Sequence, residues 1–212
     1  MPSISQLKPN PISAMPMQNN CSRLLALAFL MTATPAVSAE APSLLSRAEW
    51  EAKPPSLQMT EQVPNAILVH HTGTAMKPKL SLAAKMQGLQ RFSQAKEKLA
   101  DGRMKPAWPD VPYHFYISSD GKIAEGRAIT AVGDTNTGYN PAGYIQVVVE
   151  GNFETEKVTD AQSTALKTLL AWLTEKYQIK PSLISGHNAK AQTACPGKDL
   201  EAKLPGIVAE LK

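Results

Sequence analysis

YIQVVVEGNF, residues 144–153, carries three consecutive valines between Gln146 and Glu150. β-branched side chains are stiff at χ1 and pack well on a pleated surface. Successive side chains of a strand point to opposite faces, so adjoining valines make both faces apolar. Such a strand belongs in the middle of a sheet that is covered on both sides. The stretch therefore predicts a central strand with helices above and below it.

Working outward, NAILVHHT (65–72) is a second short apolar run, bounded by Pro64 and Gly73 and ending in His70 and His71. YHFYIS (113–118) reads as a strand, SDGK as a turn with an Asp-Gly signal, and IAEGR as the partner of a hairpin. SLISGH (182–187) is a short strand that again runs out in a histidine. SLLSRAEWEAKPP (43–55) reads as an irregular lead-in with Trp50 as a packing anchor. KPAWPDVP and VGDTNTGYNPAG read as loops.

Helical periodicity lies between these runs. Apolar residues recur at Leu82, Met86, Leu89, Phe92 and Leu99, in steps that predict an amphipathic helix from Leu80 to the stop at ADG. TDAQ, beginning at Thr159, is a capping-box pattern with Gln162 at the third helical position. Leu166, Leu169, Leu170, Leu173 and Tyr177 then form one apolar face, closed by Pro181. A last helix is expected around DLEAKLPGIVAELK, interrupted near Pro205. Strands alternating with helices predict an α/β class with a central mixed β-sheet flanked by helices.

The chain has 212 residues with 43% hydrophobic and 19% charged side chains, enough for one domain with a sizeable core. Residues 1–39 differ from the rest: they contain no acid and only Lys8 and Arg23 as bases. LLALAFLMT follows Arg23, and ATPAVSA leads to Glu40. A basic start, a short apolar core and a small-x-small exit at Val37 and Ala39 read as an export signal cleaved after Ala39. The apolar core is about half of the ~20 residues a membrane span needs, and an uncleaved N-terminal anchor is the alternative. Met15 or Met17 is an alternative start. Cys21 precedes the apolar run and is not placed like a lipidated cysteine. Residues 1–39 are thus expected to be a signal peptide and residues 40–212 the functional domain. With Lys8 and Arg23 removed, the remaining 20 bases against 18 acids give +2, too little to argue for nucleic acid.

Residues 40–212 keep a single cysteine, Cys195, so no internal disulfide is available there. It is a buried apolar filler, a reactive thiol or a metal ligand. His70/His71 and His187 fall where apolar strands end, and strand ends of α/β sheets are where sites are built. One histidine from each end plus Cys195 makes three zinc-type ligands, which leaves a fourth position open as in catalytic sites. A closed site using His71 or His114 is the alternative. Alternation puts His70 and His71 on opposite faces, and spacing does not choose between them. His114, in an apolar strand, is read as a satisfied core residue.

SRAEWEAKPP, LVHHTGT, PYHFYISSDGKIAEGR, GYN, VEGNF and SGHNAKAQTACPG occur in one order. That ordered set resembles the peptidoglycan recognition protein and zinc N-acetylmuramoyl-L-alanine amidase family (type 2 amidases), from Ser46 to about Leu204. The resemblance implies a mixed sheet with flanking helices and a zinc ion at the floor of a surface groove. It selects His70, His187 and Cys195 as ligands. It places Tyr113 opposite the reacting water and Thr193 beside it as catalytic hydroxyls. The implied activity is hydrolysis of the amide between N-acetylmuramic acid and L-alanine of the peptidoglycan stem peptide. A non-catalytic muropeptide-binding module of the same fold is the alternative. A zinc protease reading lacks the HExxH helix.

Two departures qualify the resemblance. Some relatives place a glutamate base on the central strand, where alignment on EG gives Val148 here, and Glu150 is not its equivalent. The loop before GYN often carries a histidine, where this chain has Asp134, read as a turn residue. The expected partner is peptidoglycan or a muropeptide, with no nucleic acid and no membrane span after processing. Nothing demands a second chain, so a monomer is expected. The compartment is periplasmic or extracellular, and the missing disulfide near the first helix favours a bacterial source.

Overall fold

The computed structural model describes residues 39–99 and 101–211. The export signal expected in residues 1–39 lies, but for Ala39, outside the described residues. The valine-rich stretch forms β7 (Tyr144–Val149), the third element from one end of a six-stranded sheet. Its neighbours are β2 (Ala66–His71) and β5 (Phe115–Ile117), and both run parallel to it. Val147, Val148 and Val149 are fully buried, as a strand covered on both sides requires.

Outside β5 lies its hairpin partner β6 (Ile123–Glu125), the antiparallel member that makes the sheet mixed. The turn between them is closed by the Ser118 N–H donating to Lys122 O, with Gly121 at φ 80°, where a side chain would be strained. Outside β2 lies β8 (Ile184–Gly186), again parallel. The far edge is β1 (Leu44–Leu45), which pairs in parallel with β6. The lead-in was expected to be irregular. Instead its two leucines take the open side of β6, and Trp50, fully buried, donates its indole N–H to Glu125 O at 2.7 Å.

One face of the sheet presents Ile67, Val69, Ile145, Val147 and Val149 to α2 (Asp160–Lys176) and α3 (Lys198–Ala209). The capping box of α2 forms as the sequence predicts. The Gln162 N–H donates to Thr159 Oγ1, and Thr159 N–H donates to the Gln162 side chain. Leu166, Leu169, Leu170 and Leu173 are all fully buried on its inner face, each worth about 1.5–3 kcal/mol of apolar burial. α3 runs through Pro205 rather than breaking there. Proline removes one backbone donor, but Leu200 and Leu204 before it and Ile207 and Val208 after it pack on the core and hold the helix.

The opposite face is covered by α1 (Leu82–Gln94), with Leu82 and Met86 packed beside Trp50, Tyr116 and Val148. α1 stops five residues short of Leu99. The Lys105 ammonium, buried, donates to Ser93 O at 2.8 Å and to Ala95 O at 2.7 Å, which satisfies carbonyls at the end of the helix. It also lies 4.5 Å from the Trp108 ring and 5.3 Å from the Phe92 ring. Phe92 therefore serves this cation rather than the core. The chain turns back beyond it as a small hairpin, β3 (Glu97–Lys98) against β4 (Met104–Lys105). Among the described residues no helix is long and apolar enough to cross a membrane.

Candidate metal centre

Strand register assembles the site. β2 and β8 run parallel with Val69 opposite Gly186, so His70 and His187 leave the sheet side by side at the same end. Their ring centroids are 4.4 Å apart, and both rings are buried. Cys195 returns to them after a tight turn in which Lys190 and Ala191 donate to His187 O. Gly197, at φ 89°, lets the returning chain pass close to Phe153; a Cβ there would sit 2.7 Å from the Phe153 carbonyl carbon.

The Cys195 sulfur receives the His71 backbone N–H at 3.4 Å and lies 3.7 Å from His70 Nδ1. One donor atom each from His70, His187 and Cys195 falls within a 4.8 Å set. Zinc bonds of about 2.0–2.1 Å to nitrogen and 2.3 Å to sulfur, at tetrahedral angles, put donors about 3.3–3.6 Å apart. The set is slightly wider than that and of the right composition. His187 Nδ1 is buried without a hydrogen-bond partner, while its Nε2 lies 2.7 Å from the Thr137 hydroxyl.

The electrostatics fit a cation better than a cysteine nucleophile. Burial, with the neighbouring imidazoles, holds His70 well below the ordinary histidine range and His187 at about 4. Burial pushes the Cys195 thiol up to about 12. A catalytic Cys–His pair needs a stabilised thiolate beside an imidazolium, and this pocket disfavours both. It holds two lone-pair nitrogens beside a thiol that a soft divalent cation would deprotonate.

His71 takes the other face, as alternation demands. Its Nδ1 accepts the Phe153 N–H at 3.3 Å, and it lies outside the donor cluster. His114 is the satisfied core residue the sequence suggests. Its Nδ1 accepts the Gln146 N–H at 2.8 Å and its Nε2 lies 2.9 Å from Ala131 O.

A cavity of about 210 Å³ opens over the cluster, lined by Trp108, Tyr113, Asp134 and Thr137 among others. The Tyr113 ring stands 5.2 Å from His70, and burial together with the nearby Cys195 raises its phenol pKa, so it stays protonated. Thr193 is outside the cavity lining; its Oγ1 accepts the Cys195 N–H at 3.2 Å and shapes the cysteine loop. Val148 pairs with His70 across β2 and β7, and no carboxylate stands there. Glu150 is engaged by Lys85 at 2.7 Å and by two backbone N–H groups. Asp134 is more than a turn residue, because it pairs with the buried Arg127 guanidinium at the cavity wall. A larger concavity of about 800 Å³, near Leu44, Asp120 and Ala161, contains no histidine or cysteine.

Sequence reasoning missed Thr137, Tyr139 and Gln146. Loop 132–143 looks like an unremarkable polar connection, and Gln146 sits inside an apolar strand. The only signal was that one polar residue, in a strand otherwise buried on both faces.

Residues 60–198 match the family model described as N-acetylmuramoyl-L-alanine amidase. Peptidoglycan-recognition protein SD of Drosophila melanogaster is 32% identical over 171 residues, 79% of this chain and 86% of that protein. The solved structure of N-acetylmuramoyl-L-alanine amidase LysC from Clostridium intestinale URNW superposes with TM-score 0.58 at 30% identity, covering 81% of this chain and 98% of that one. A mutant of Drosophila PGRP-LB, solved in complex with tracheal cytotoxin, superposes with TM-score 0.62 at 28% identity, covering 76% and 92%.

Proposed function

The chain belongs to the N-acetylmuramoyl-L-alanine amidase family, and on that premise we propose that it is a zinc-dependent amidase. Its substrate is the amide joining N-acetylmuramic acid to L-alanine of the peptidoglycan stem peptide. The observation that carries this reading is the buried donor set of His70, His187 and Cys195 at the floor of an open cavity.

His70 and His187 offer neutral nitrogens, and Cys195 offers a sulfur that becomes thiolate on metal binding. Zinc, when bound, supplies a Lewis acid and makes water a nucleophile at neutral pH. The protein supplies the rest. Tyr113, kept protonated by burial, donates its hydroxyl proton to the oxygen that gains charge as the carbonyl is attacked. Thr193 is the proposed second hydroxyl: although outside the cavity lining, it accepts from Cys195 N–H and so keeps its own proton to donate. Apolar Val148 leaves the proton of the leaving amine to pass through water and Tyr113.

Peptidoglycan lies outside the cytoplasmic membrane, so the export reading of residues 1–39 belongs to the same proposal. The domain then begins at Glu40 and acts in the periplasm or outside the cell. The test is mass analysis of purified peptidoglycan fragments after incubation with zinc-loaded protein, read for free stem peptide with a new L-alanine amino terminus. Binding of the fragment without that release would make the chain a recognition module instead.

A further inference from the structure

Besides His187 Nδ1, two buried nitrogens beneath the cavity lack partners: His70 Nε2 and Gln146 Nε2. Both belong to neighbouring parallel strands, Gln146 opposite Leu68 and His70 two residues further on the same face. Gln146 is fully buried, and its side chain acts on the His70 ring, raising its pKa against the fall that burial causes. With His70 Nδ1 turned to the Cys195 sulfur at 3.7 Å, Nε2 carries the ring proton. Two N–H donors then share a site with no acceptor, an arrangement buried polar groups avoid.

Turning the amide by 180° exchanges its oxygen and nitrogen without moving any other atom. The oxygen then faces His70 Nε2–H. The nitrogen faces the Tyr139 hydroxyl, which lies 3.2 Å from the other amide position. The Thr135 side chain acts in turn on the Tyr139 hydroxyl, drawing its pKa down against the rise that burial causes. Thr135 Oγ1 lies 2.8 Å from Thr137 Oγ1, and Thr137 Oγ1 lies 2.7 Å from His187 Nε2. Gly133 permits this packing, since a Cβ there would come 2.2 Å from the Gln146 amide nitrogen.

We propose that Gln146 and loop residues 135–139 form one hydrogen-bonded arc from His70 Nε2 to His187 Nε2, holding both imidazoles as Nε2–H tautomers with Nδ1 free for the metal. Gln146 and Thr137 are thus positioning residues that act through the two ligands. The inference rests on the reading of His70 and His187 as zinc ligands. It explains why a glutamine is buried in the central strand and why a polar loop is folded over the strand ends.

The test is zinc affinity by competition with a chromophoric chelator, with hydrolysis left out. Outer partners of metal-bound histidines are typically worth about 10–100-fold in affinity, and Gln146→Leu and Thr137→Val should each lose that much. Gln146→Glu and Thr137→Ser restore an acceptor for Nε2–H and should stay within about threefold of the parent on the same scale. A purely structural role would not be rescued in that pattern while leaving the metal-free melting temperature unchanged. The unaltered zinc-loaded protein gives an answer independent of any variant: long-range ¹⁵N NMR should show both histidines protonated at Nε2. Parent-like affinity in both Gln146→Leu and Thr137→Val overturns the arc alone, as does an Nδ1–H tautomer at His70. If the unaltered protein binds no zinc, the metal reading and the arc fall together.

Discussion

Val69 and Gly186 face each other across parallel strands, so that His70 and His187, one step further on, meet with their rings 4.4 Å apart. Register does the positioning, and no side-chain contact is needed to bring the pair together. The consequences for the metal, for acid stability and for catalysis can each be measured.

Zinc binding should release about one proton at neutral pH. The Cys195 thiol is pushed up to about 12 by burial, while His187 lies at about 4 and His70 also lies low, so only the sulfur loses a proton. Affinity should therefore rise about tenfold per pH unit between roughly pH 7 and 9. Calorimetry in buffers of different ionisation enthalpy counts the proton. Cys195→Ser should weaken zinc by more than about 100-fold, because a hard hydroxyl replaces a soft thiolate. His71→Ala should leave zinc in place and His70→Ala should lose it; the reverse order would exchange the roles of the two neighbours.

The metal-free domain should lose stability in mild acid. Burial holds His114 at about 4, against an ordinary value near 6.5. A depressed histidine contributes its full stability above pH 6.5 and loses it as pH falls toward 4, since the unfolded chain takes up the proton first. The span corresponds to about 3 kcal/mol at most. His114→Asn keeps an acceptor without a titrating ring, so denaturant unfolding of this variant should weaken less between pH 6.5 and 4. An equal fall in both proteins would assign the acid sensitivity elsewhere.

Tyr113→Phe should keep fold and zinc and lose about 10²–10³ in turnover, the usual cost of one oxyanion donor. Fragment binding should change much less, because the interaction develops in the transition state. Full turnover in Tyr113→Phe would remove Tyr113 from the mechanism and leave the metal reading intact.

Exported protein should begin at Glu40, as LLALAFLMTATPAVSA implies. Mass analysis of the protein recovered outside the cytoplasm gives the terminus directly. Retention of the full-length chain inside the cell would contradict the export reading.

Much of the fold was legible because it follows from local rules. The three valines announced a strand buried on both faces, Thr159 and Gln162 announced the start of α2, and Asp120-Gly121 announced the hairpin. The failures were tertiary. Phe92 and Leu99 continued a helical period, but Lys105, from beyond the turn, took the last carbonyls of α1 and ended it. Leu44 and Leu45 are too short a run to announce a strand, yet the open side of β6 accepts them. At the site, strand ends and sulfur economy pointed to Cys195, His187 and one of His70 and His71, and only the family resemblance chose His70. The surroundings could not be read, because Thr137, Tyr139 and Gln146 meet the histidines only through loop closure and register.

The central claim is that this donor set makes an amidase. A defined muropeptide incubated with zinc-loaded protein should release free stem peptide bearing an L-alanine amino terminus. Release should stop with chelation, return with added zinc, and be absent in Cys195→Ser. A zinc-replete protein that binds the muropeptide and never releases that peptide would contradict the account and leave a recognition module in its place.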